Sequence, residues 1–431
     1  MDARSDIIVV DLGFGDAGKG ATVDWLCSPQ ADLDVAAVVR FNGGAQAAHN
    51  VVNGERHHTF SQFGSGTLNG VPTFLSQFML VEPISLAREA RALEAVGVQD
   101  PFDLLTIDGR ALLTTPIHVA ANRAREDARG GNRHGSCGKG IGETAAYALE
   151  RPDAPTVGDC RRPDVLARKL ENMAAYYGPL ITDSRHGFPE IVDMVDMYAE
   201  CAAVVDIVGP GALESIGARG RLVFEGAQGV LLDEWRGFHP HTTWSTVEPS
   251  NARTMVSEIG RESYVLGVTR TYTTRHGAGP LPTEDSALGA VLPEPHNGVG
   301  EYQGSFRVGH LDTLLLRYAI EVCGGVDGLA LTHLDALERA TTAGTPIQGV
   351  DRYDGCAGIP VGKIPVGEWK DLEHQAALTE ALRAMSAVRR DVPAEAEPFI
   401  DYLGSEAGVP VVLTSDGPDR ADRRLRAGVP A

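Results

Sequence analysis

The segment Asp6 to Gly20, DIIVVDLGFGDAGKG, joins a β-branched apolar run to a glycine-rich turn, and the ATVDWL that follows reads as a helix. Gly13, Gly18 and Lys19 stand at the spacing of a phosphate-binding loop. Glycines let backbone N–H groups approach phosphate oxygens, and the helix N-terminus adds partial positive charge. Two departures sharpen the reading. The Ser or Thr expected after the lysine is Gly20, and an acid, Asp16, lies inside the loop. An acid beside phosphate repels it, unless it holds a metal or takes a proton from a neighbouring reactant.

Further loops carry reactive side chains. Arg40 to His49, RFNGGAQAAH, leaves an apolar run and ends in a histidine suited to general acid chemistry near neutral pH. Arg133 to Gly142 is glycine-rich, and its small Ser136 and Cys137 side chains with exposed amides suit a second phosphate. Arg275, in TRHGAGP, is a candidate for ribose or phosphate contact, and a simple turn explains the same segment. Asp335, in THLDAL, could accept two hydrogen bonds from the N1–H and 2-amino group of guanine, or could cap a helix. Ser415 to Asp419, SDGPD, closes the set.

The elements that must position these loops are legible from apolar runs. Strands are expected at Ile7–Val10, Val35–Phe41, Arg221–Phe224, Tyr264–Val268, Gly328–Thr332 and Val411–Thr414, with helical patterns such as Ile84–Val96 and Val165–Tyr177 between them. This alternation predicts an α/β fold with a large, mostly parallel sheet covered by helices. Each strand runs into one of the loops GFGDAGKG, NGGAQAAHN, EGAQG, TRHGAGP, THLDAL and SDGPDR. Ligands of such sheets sit outside the carboxyl ends of the strands, so the six loops are expected to line one site. The chain, 1–431, is read as a single domain with irregular excursions at about 285–304 and 351–369, and it has no internal repeat.

A hydrophobic content of 43% with 22% charged residues is that of an ordinary globular chain. The formal net charge of −20 argues against nucleic acid and anionic membranes as partners, yet leaves room for a nucleotide pocket with a few local donors. The six cysteines are scattered without a CxxC pair, and there is neither a signal-like N-terminus nor a long apolar run. A cytoplasmic location with free thiols is expected.

Eight segments in register resemble adenylosuccinate synthetase over nearly the whole chain: GFGDAGKGATVDWL, VVRFNGGAQAAHNVV, HGSCGKGIG, FEGAQGVLLD, TTRHGAGPLPTE, LDTLLLRYAI, LTHLDAL and SDGPDR. That family joins L-aspartate to the 6-position of inosine monophosphate with GTP and magnesium, and the resemblance implies a P-loop-like fold of that type. By the same resemblance Asp16 is the base that removes the purine N1 proton and a magnesium ligand. His49, taken as an imidazolium, assists phosphoryl transfer to the 6-oxygen. Lys19, with the backbone of Gly15, Gly18 and Gly20, forms the phosphate cradle, and the Ala48 carbonyl is a second metal ligand. Gln46, Ser136, Cys137, Gln228, Thr243 and Arg275 fall at nucleotide positions, with Asp335, Ser415 and Gly417 in the guanine pocket. A homodimer is expected, with Arg151 near the position that reaches the partner's nucleotide.

The match breaks at particular residues. Ala17 replaces an acid, Gln46 an asparagine near the substrate phosphate, and His333 the lysine of the guanine motif, which leaves GTP against ATP open. The family's arginine run for the aspartate carboxylates is Gly300 to His310, GEYQGSFRVGH, here. Gln303 and Arg307 are its candidate donor-loop residues, with Arg307 its one arginine and Glu301 an added acid. The expectation is a divergent purine-nucleotide C–N ligase using GTP or ATP and Mg2+, with L-aspartate or a related amino acid as amine donor. The alternatives are a non-catalytic nucleotide-binding paralogue with a sensing or partner role, and an unrelated P-loop kinase or GTPase.

Overall fold

The computed structural model describes residues 5–130, 136–182, 184–294, 304–355, 360 and 362–426. Gln303, called as a donor-loop residue, lies outside them. A ten-stranded sheet organises the chain. In chain order its strands are β1 (Asp6–Asp11), β2 (Val35–Arg40), β3 (Thr73–Leu75), β4 (Leu105–Asp108), β5 (Asp206–Val208), β6 (Arg221–Glu225), β7 (Ser263–Arg270), β8 (Gly328–Thr332), β9 (Val411–Ser415) and β10 (Arg423–Leu425). Across the sheet they lie in the order β10-β9-β8-β7-β1-β6-β2-β3-β4-β5. Every neighbouring pair is parallel except β9 with the edge strand β10.

The six expected strands are all present, each in the central part of this sheet. β1 shows why they were readable. Ile8 and Val10 pack into one buried cluster with Val39, Phe224 and Leu315, while Ile7 and Val9 pack into another with Val38, Val223 and Leu266. Alternate residues face opposite sides, and both sides are covered, so the strand is apolar throughout. The helix α1 (Lys19–Leu26) covers the second face with Val23, Trp25 and Leu26. The stretch expected to be irregular from 285 instead carries a short helix, Ser286–Val291, capped by the Asp285 carboxylate, and the strand Gln348–Asp354 runs into the second excursion.

The path of the chain explains where the site is. From β1 it builds β2 to β5 outward on one side, returns to insert β6 between β1 and β2, then crosses to the far side of β1 for β7 to β10. The direction reverses around β1, and the loops that leave β1, β6 and β7 diverge there, which is where open α/β sheets bind ligands. Two loops meet closely. Leu231 N–H donates to the Gly13 carbonyl at 3.0 Å, and a Cβ at Gly229 would stand 2.1 Å from Gly15 N and 2.2 Å from Gly13 O. Gly229 has φ −111°, open to any residue, so space rather than conformation requires glycine here.

Gly229→Ala therefore has to push the two loops apart. The expected cost is about 1–3 kcal/mol of stability, as for other overpacked sites, together with weakened nucleoside triphosphate binding. Thermal unfolding and a binding titration check it, and wild-type values in both would contradict the packing described.

Candidate functional site

The loop after β1 is built on Asp11, the last residue of that strand, which is fully buried. Its carboxylate accepts from Gly13 N at 2.8 Å, Ala17 N at 2.8 Å and Lys19 Nζ at 3.1 Å. Hydrogen bonds to a charged group contribute roughly 1.5–3 kcal/mol each. Burying the charge costs several kcal/mol, so it takes this full set of partners to hold it. Gly18, at φ 95°, turns the chain into α1, so the amides after it open toward the cleft. Lys19 stands in the first turn, only 4% exposed and held against Asp11.

Asp16 is placed differently. Its φ of 61° is rare for a residue with a side chain and turns the carboxylate out of the loop. It makes no hydrogen bond or ion pair among the described residues. Although it meets solvent in the cleft, crowding by protein strips its hydration and raises its pKa, against the opposing pull of Arg270 and Lys19. Ala48, exposed in the second loop, immediately precedes His49. No cluster of three or more His, Cys, Asp or Glu suited to a metal occurs among the described residues. One free carboxylate and a carbonyl fit Mg2+, which takes few protein ligands and completes its shell with water and substrate phosphates.

His49 is buried and its Nδ1 lies 2.6 Å from Glu225 Oε1, at the end of β6. Ser65 donates to the same carboxylate through its backbone N–H at 2.9 Å and its hydroxyl at 2.5 Å. Burial would raise Glu225, but His49, Arg40 and Ser65 together bring it down to about 2, so it stays ionised. Burial lowers His49 to about 4 despite that carboxylate. The imidazole is therefore neutral near pH 7, with Nδ1–H given to Glu225 and Nε2 not held by it; the imidazolium expected from the sequence requires added negative charge nearby. The same packing accounts for Gly20. A Cβ there would lie 2.5 Å from His49 Cβ and 3.0 Å from Ser65 Oγ, so the usual Ser or Thr has no room.

The other predicted residues separate into two groups. Asn42 clasps Ala227, accepting from its N–H at 2.7 Å and donating to its carbonyl at 3.0 Å, which sets Gln228 at φ 65° beside the second loop. Gln46 is close to Gly43, and its amide N and O are enclosed without a protein partner, as expected of a group awaiting a ligand. Thr243 is pinned through its N–H to the Leu232 carbonyl at 2.8 Å. Leu334 N–H donates to Ser415 O at 3.0 Å, and Ser415 Oγ donates to Gly417 O at 2.8 Å, which brings THLD and SDGP together. Asp335 pairs with Arg339 at 3.0 Å. Cys137 is exposed, while the Ser136 hydroxyl donates to Asn122 Oδ1 at 2.9 Å.

Arg275 and Arg307 are not the open cations their sequence positions suggested. Arg275 is 1% exposed, stacks 4.2 Å over the Phe14 ring and donates to the carbonyls of Ala278, Pro280 and His241. Burial first, then Arg307 and Arg383, lower it to about 9. Arg307 faces Glu284 and two loop carbonyls. Arg151 lies 5.1 Å over the Tyr176 ring of its own chain. His333, at φ 60°, turns back toward Arg270 and Thr332 rather than taking a lysine's outward reach. Sequence reasoning missed Asp11, Arg40, Glu225 and Arg270. Their shared signal was available: each is a charged residue closing an apolar strand, where a buried charge needs a purpose.

Comparison with known proteins shows the family and the fold. A family model described as adenylosuccinate synthetase matches residues 8–424. An adenylosuccinate synthetase of Neisseria gonorrhoeae is 31% identical over 98% of both chains, and one of Paraburkholderia phytofirmans is 30% identical over 97% of this chain and 96% of that one. Among solved structures, the fully ligated adenylosuccinate synthetase of Plasmodium falciparum superposes with a TM-score of 0.79 at 20% identity, covering 98% of this chain and 100% of the other. The succinoaminodeoxyadenylate synthetase of cyanophage S-2L, bound to dGMP and dATP, gives 0.61 at 17% identity over 98% and 95%. No helix among the described residues is long and apolar enough to cross a membrane.

Glu225→Gln removes the ionised partner that orients His49. We expect turnover to fall by about 10²-fold, in the range for misdirected acid–base groups, with substrate KM values changed less than threefold by steady-state kinetics. A matching collapse of thermal stability would instead mark Glu225 as scaffolding.

Proposed function

The chain belongs to the adenylosuccinate synthetase family, ligases that form a C–N bond on a purine nucleotide, and from that premise we propose a triphosphate-driven, two-step reaction at this cleft. The acceptor is a 6-oxopurine nucleoside monophosphate of the inosine monophosphate type. The co-substrate is GTP or ATP with Mg2+, and the donor is L-aspartate or a related amino acid. The observation that carries this reading is Asp16: a carboxylate without a protein partner among the described residues, in one loop with a buried lysine whose charge bears both on it and on a histidine oriented by a carboxylate.

A ring carbonyl oxygen is too poor a leaving group for direct displacement by an amine. Asp16 takes the N1 proton, and charge builds on the 6-oxygen, which attacks the γ-phosphorus as the bond to the β-phosphate oxygen breaks. Lys19, exchanging Asp11 for phosphate, and the amides after Gly18 hold the triphosphate. His49 offers Nε2, the nitrogen not held by Glu225, and incoming phosphate charge favours its protonated, donating form. Asp16 and the Ala48 carbonyl would hold Mg2+, which would supply charge neutralisation for phosphoryl transfer. Gln46 and Gln228, with Thr243 behind them, offer polar groups to the monophosphate. Ser415, Gly417 and Asp335 form the base pocket of the triphosphate.

The retained reaction centre and altered recognition residues support a paralogue that diverged from the housekeeping enzyme. The working assembly on this reading is a homodimer, and gel filtration near twice the 45.8 kDa chain mass checks it. For the chemistry, Asp16→Asn is expected to lower orthophosphate release from GTP or ATP with Mg2+ and inosine monophosphate by about 10³-fold or more. Triphosphate affinity should remain within a few-fold. Full release by the variant would remove Asp16 from the mechanism, and release independent of the monophosphate would indicate a simple hydrolase.

A further inference from the structure

We propose that Glu89 is a positioning residue of the reaction centre, holding the loop 61–65 through which Glu225 and His49 keep their geometry. The inference deepens the ligase reading above and rests on the part given there to His49. Glu89 lies on the helix Pro83–Ala95, on its buried face with Leu86, Ala90 and Leu93, and is only 6% exposed. A carboxylate on an apolar face is costly unless its oxygens are taken up. Three successive backbone amides do so here. Ser61 N–H at 2.7 Å and Phe63 N–H at 3.2 Å reach Oε1, and Gln62 N–H at 2.7 Å reaches Oε2.

The loop passes that constraint to the site in three ways. Ser65 gives its N–H and its hydroxyl to Glu225, which holds His49 Nδ1 at 2.6 Å. The Ser61 hydroxyl donates to the Ala45 carbonyl at 3.0 Å, in the loop that ends at His49. The carbonyls of Ser61 and Phe63 accept from Arg40 Nη1 at 3.1 and 3.0 Å. Arg40 makes the link electrostatic as well. It is fully buried, and its Nε and Nη2 have no partner among the described residues. Its charge pulls down the pKa of both Glu225 and Glu89, so it is balanced between two carboxylates rather than paired with one. Neutralising Glu89 removes half of that balance and part of the grip on the loop.

The charged and titratable groups that Glu89 meets among the described residues are Arg40 of β2 and His58 of the strand Arg56–Phe60, whose Nε2 lies 4.0 Å from Oε1. Burial lowers His58 to about 4, so it is neutral and offsets nothing. The helix Ile191–Val204 and the turn Pro101–Leu104, packed against the same helix, make no ion pair with Glu89 among the described residues. Burial raises the Glu89 carboxyl to about 7, against the pull of the three amides and Arg40. A carboxylate with a raised pKa is ionised above that value and takes a proton below it. The protonated form accepts less well from amides, so the loop is held more firmly as pH rises through 7.

Glu89→Gln keeps the size of the side chain but leaves one accepting oxygen, and its NH2 would face an N–H. The full chain is assayed for orthophosphate release with Mg2+, GTP or ATP, inosine monophosphate and L-aspartate. Near pH 8 the variant is expected to lose about tenfold in kcat, with KM for each nucleotide within about threefold of wild type. The ratio of wild-type to variant kcat is expected to close to about two near pH 6, where the wild-type carboxyl is protonated as well. Titrations of other groups act on both proteins and cancel from the ratio. A ratio independent of pH, or a loss carried by KM, overturns the proposal. A second readout needs no turnover. With isotope-labelled histidine, the Nδ1–H magnetic resonance signal of His49, identified by its loss in His49→Asn, is expected to shift in Glu89→Gln and to move in wild type between about pH 8 and pH 6. A wild-type signal constant over that range overturns the proposal even where the variant does not fold. Absence of orthophosphate release by the wild type removes the ligase reading, and the histidine signal then decides the role of Glu89 by itself.

Discussion

The site depends on one buried carboxylate. Asp11 closes β1 and collects two loop amides and the Lys19 ammonium, so a single side chain fixes the curvature of the phosphate-type loop and the position of its cation. Without it, the amides before α1 would have no common target and Lys19 would sit unpaired in a dry pocket, a costly arrangement. The loop is consequently shaped before any ligand arrives.

The same device recurs on three neighbouring strands. β7 ends in Arg270, β1 in Asp11, β6 in Glu225 and β2 in Arg40, and these four strands are adjacent in that order. Each terminal charge reaches into the loop layer: Asp11 to the phosphate-type loop, Glu225 to His49, Arg40 to the carbonyls of Ser61 and Phe63, and Arg270 to His333 and Glu294. The sheet supplies rigid spacing and the strand ends supply sign. Reactive groups are thus held from behind by residues that never need to touch substrate, the arrangement by which catalytic geometry is kept at low reorganisation cost.

Much of this was legible in the sequence because the central strands are covered on both faces and so read as unbroken apolar runs. The short outer strands were not. Thr73–Leu75 and Asp206–Val208 have three residues each, too few to show a period. Of the candidate site, the phosphate-type loop was readable because Gly13, Gly18 and Lys19 leave their spacing on the sequence. The supporting charges were passed over because a lone Asp or Glu after an apolar run looks like the start of any loop. Arg275 and Arg307 show the opposite error. Their identity suggested anion binding, but only coordinates reveal that carbonyls and Glu284 already take their donors.

The insertion of β6 between β1 and β2 has a consequence for how the molecule is made. When the first two hundred residues have left the ribosome, the strand that belongs between β1 and β2 has not been synthesised, so their facing edges have no partner. Such open, apolar edges invite wrong pairing. The glutamate that aims His49 arrives on that late strand, 176 positions after the histidine. Closing so long a separation is slow, and it means that a nascent chain carries the phosphate-type loop well before it carries an oriented histidine. The histidine is therefore oriented only on completion of the sheet, and a chain that ends before residue 225 holds the loop sequence without the carboxylate that fixes His49.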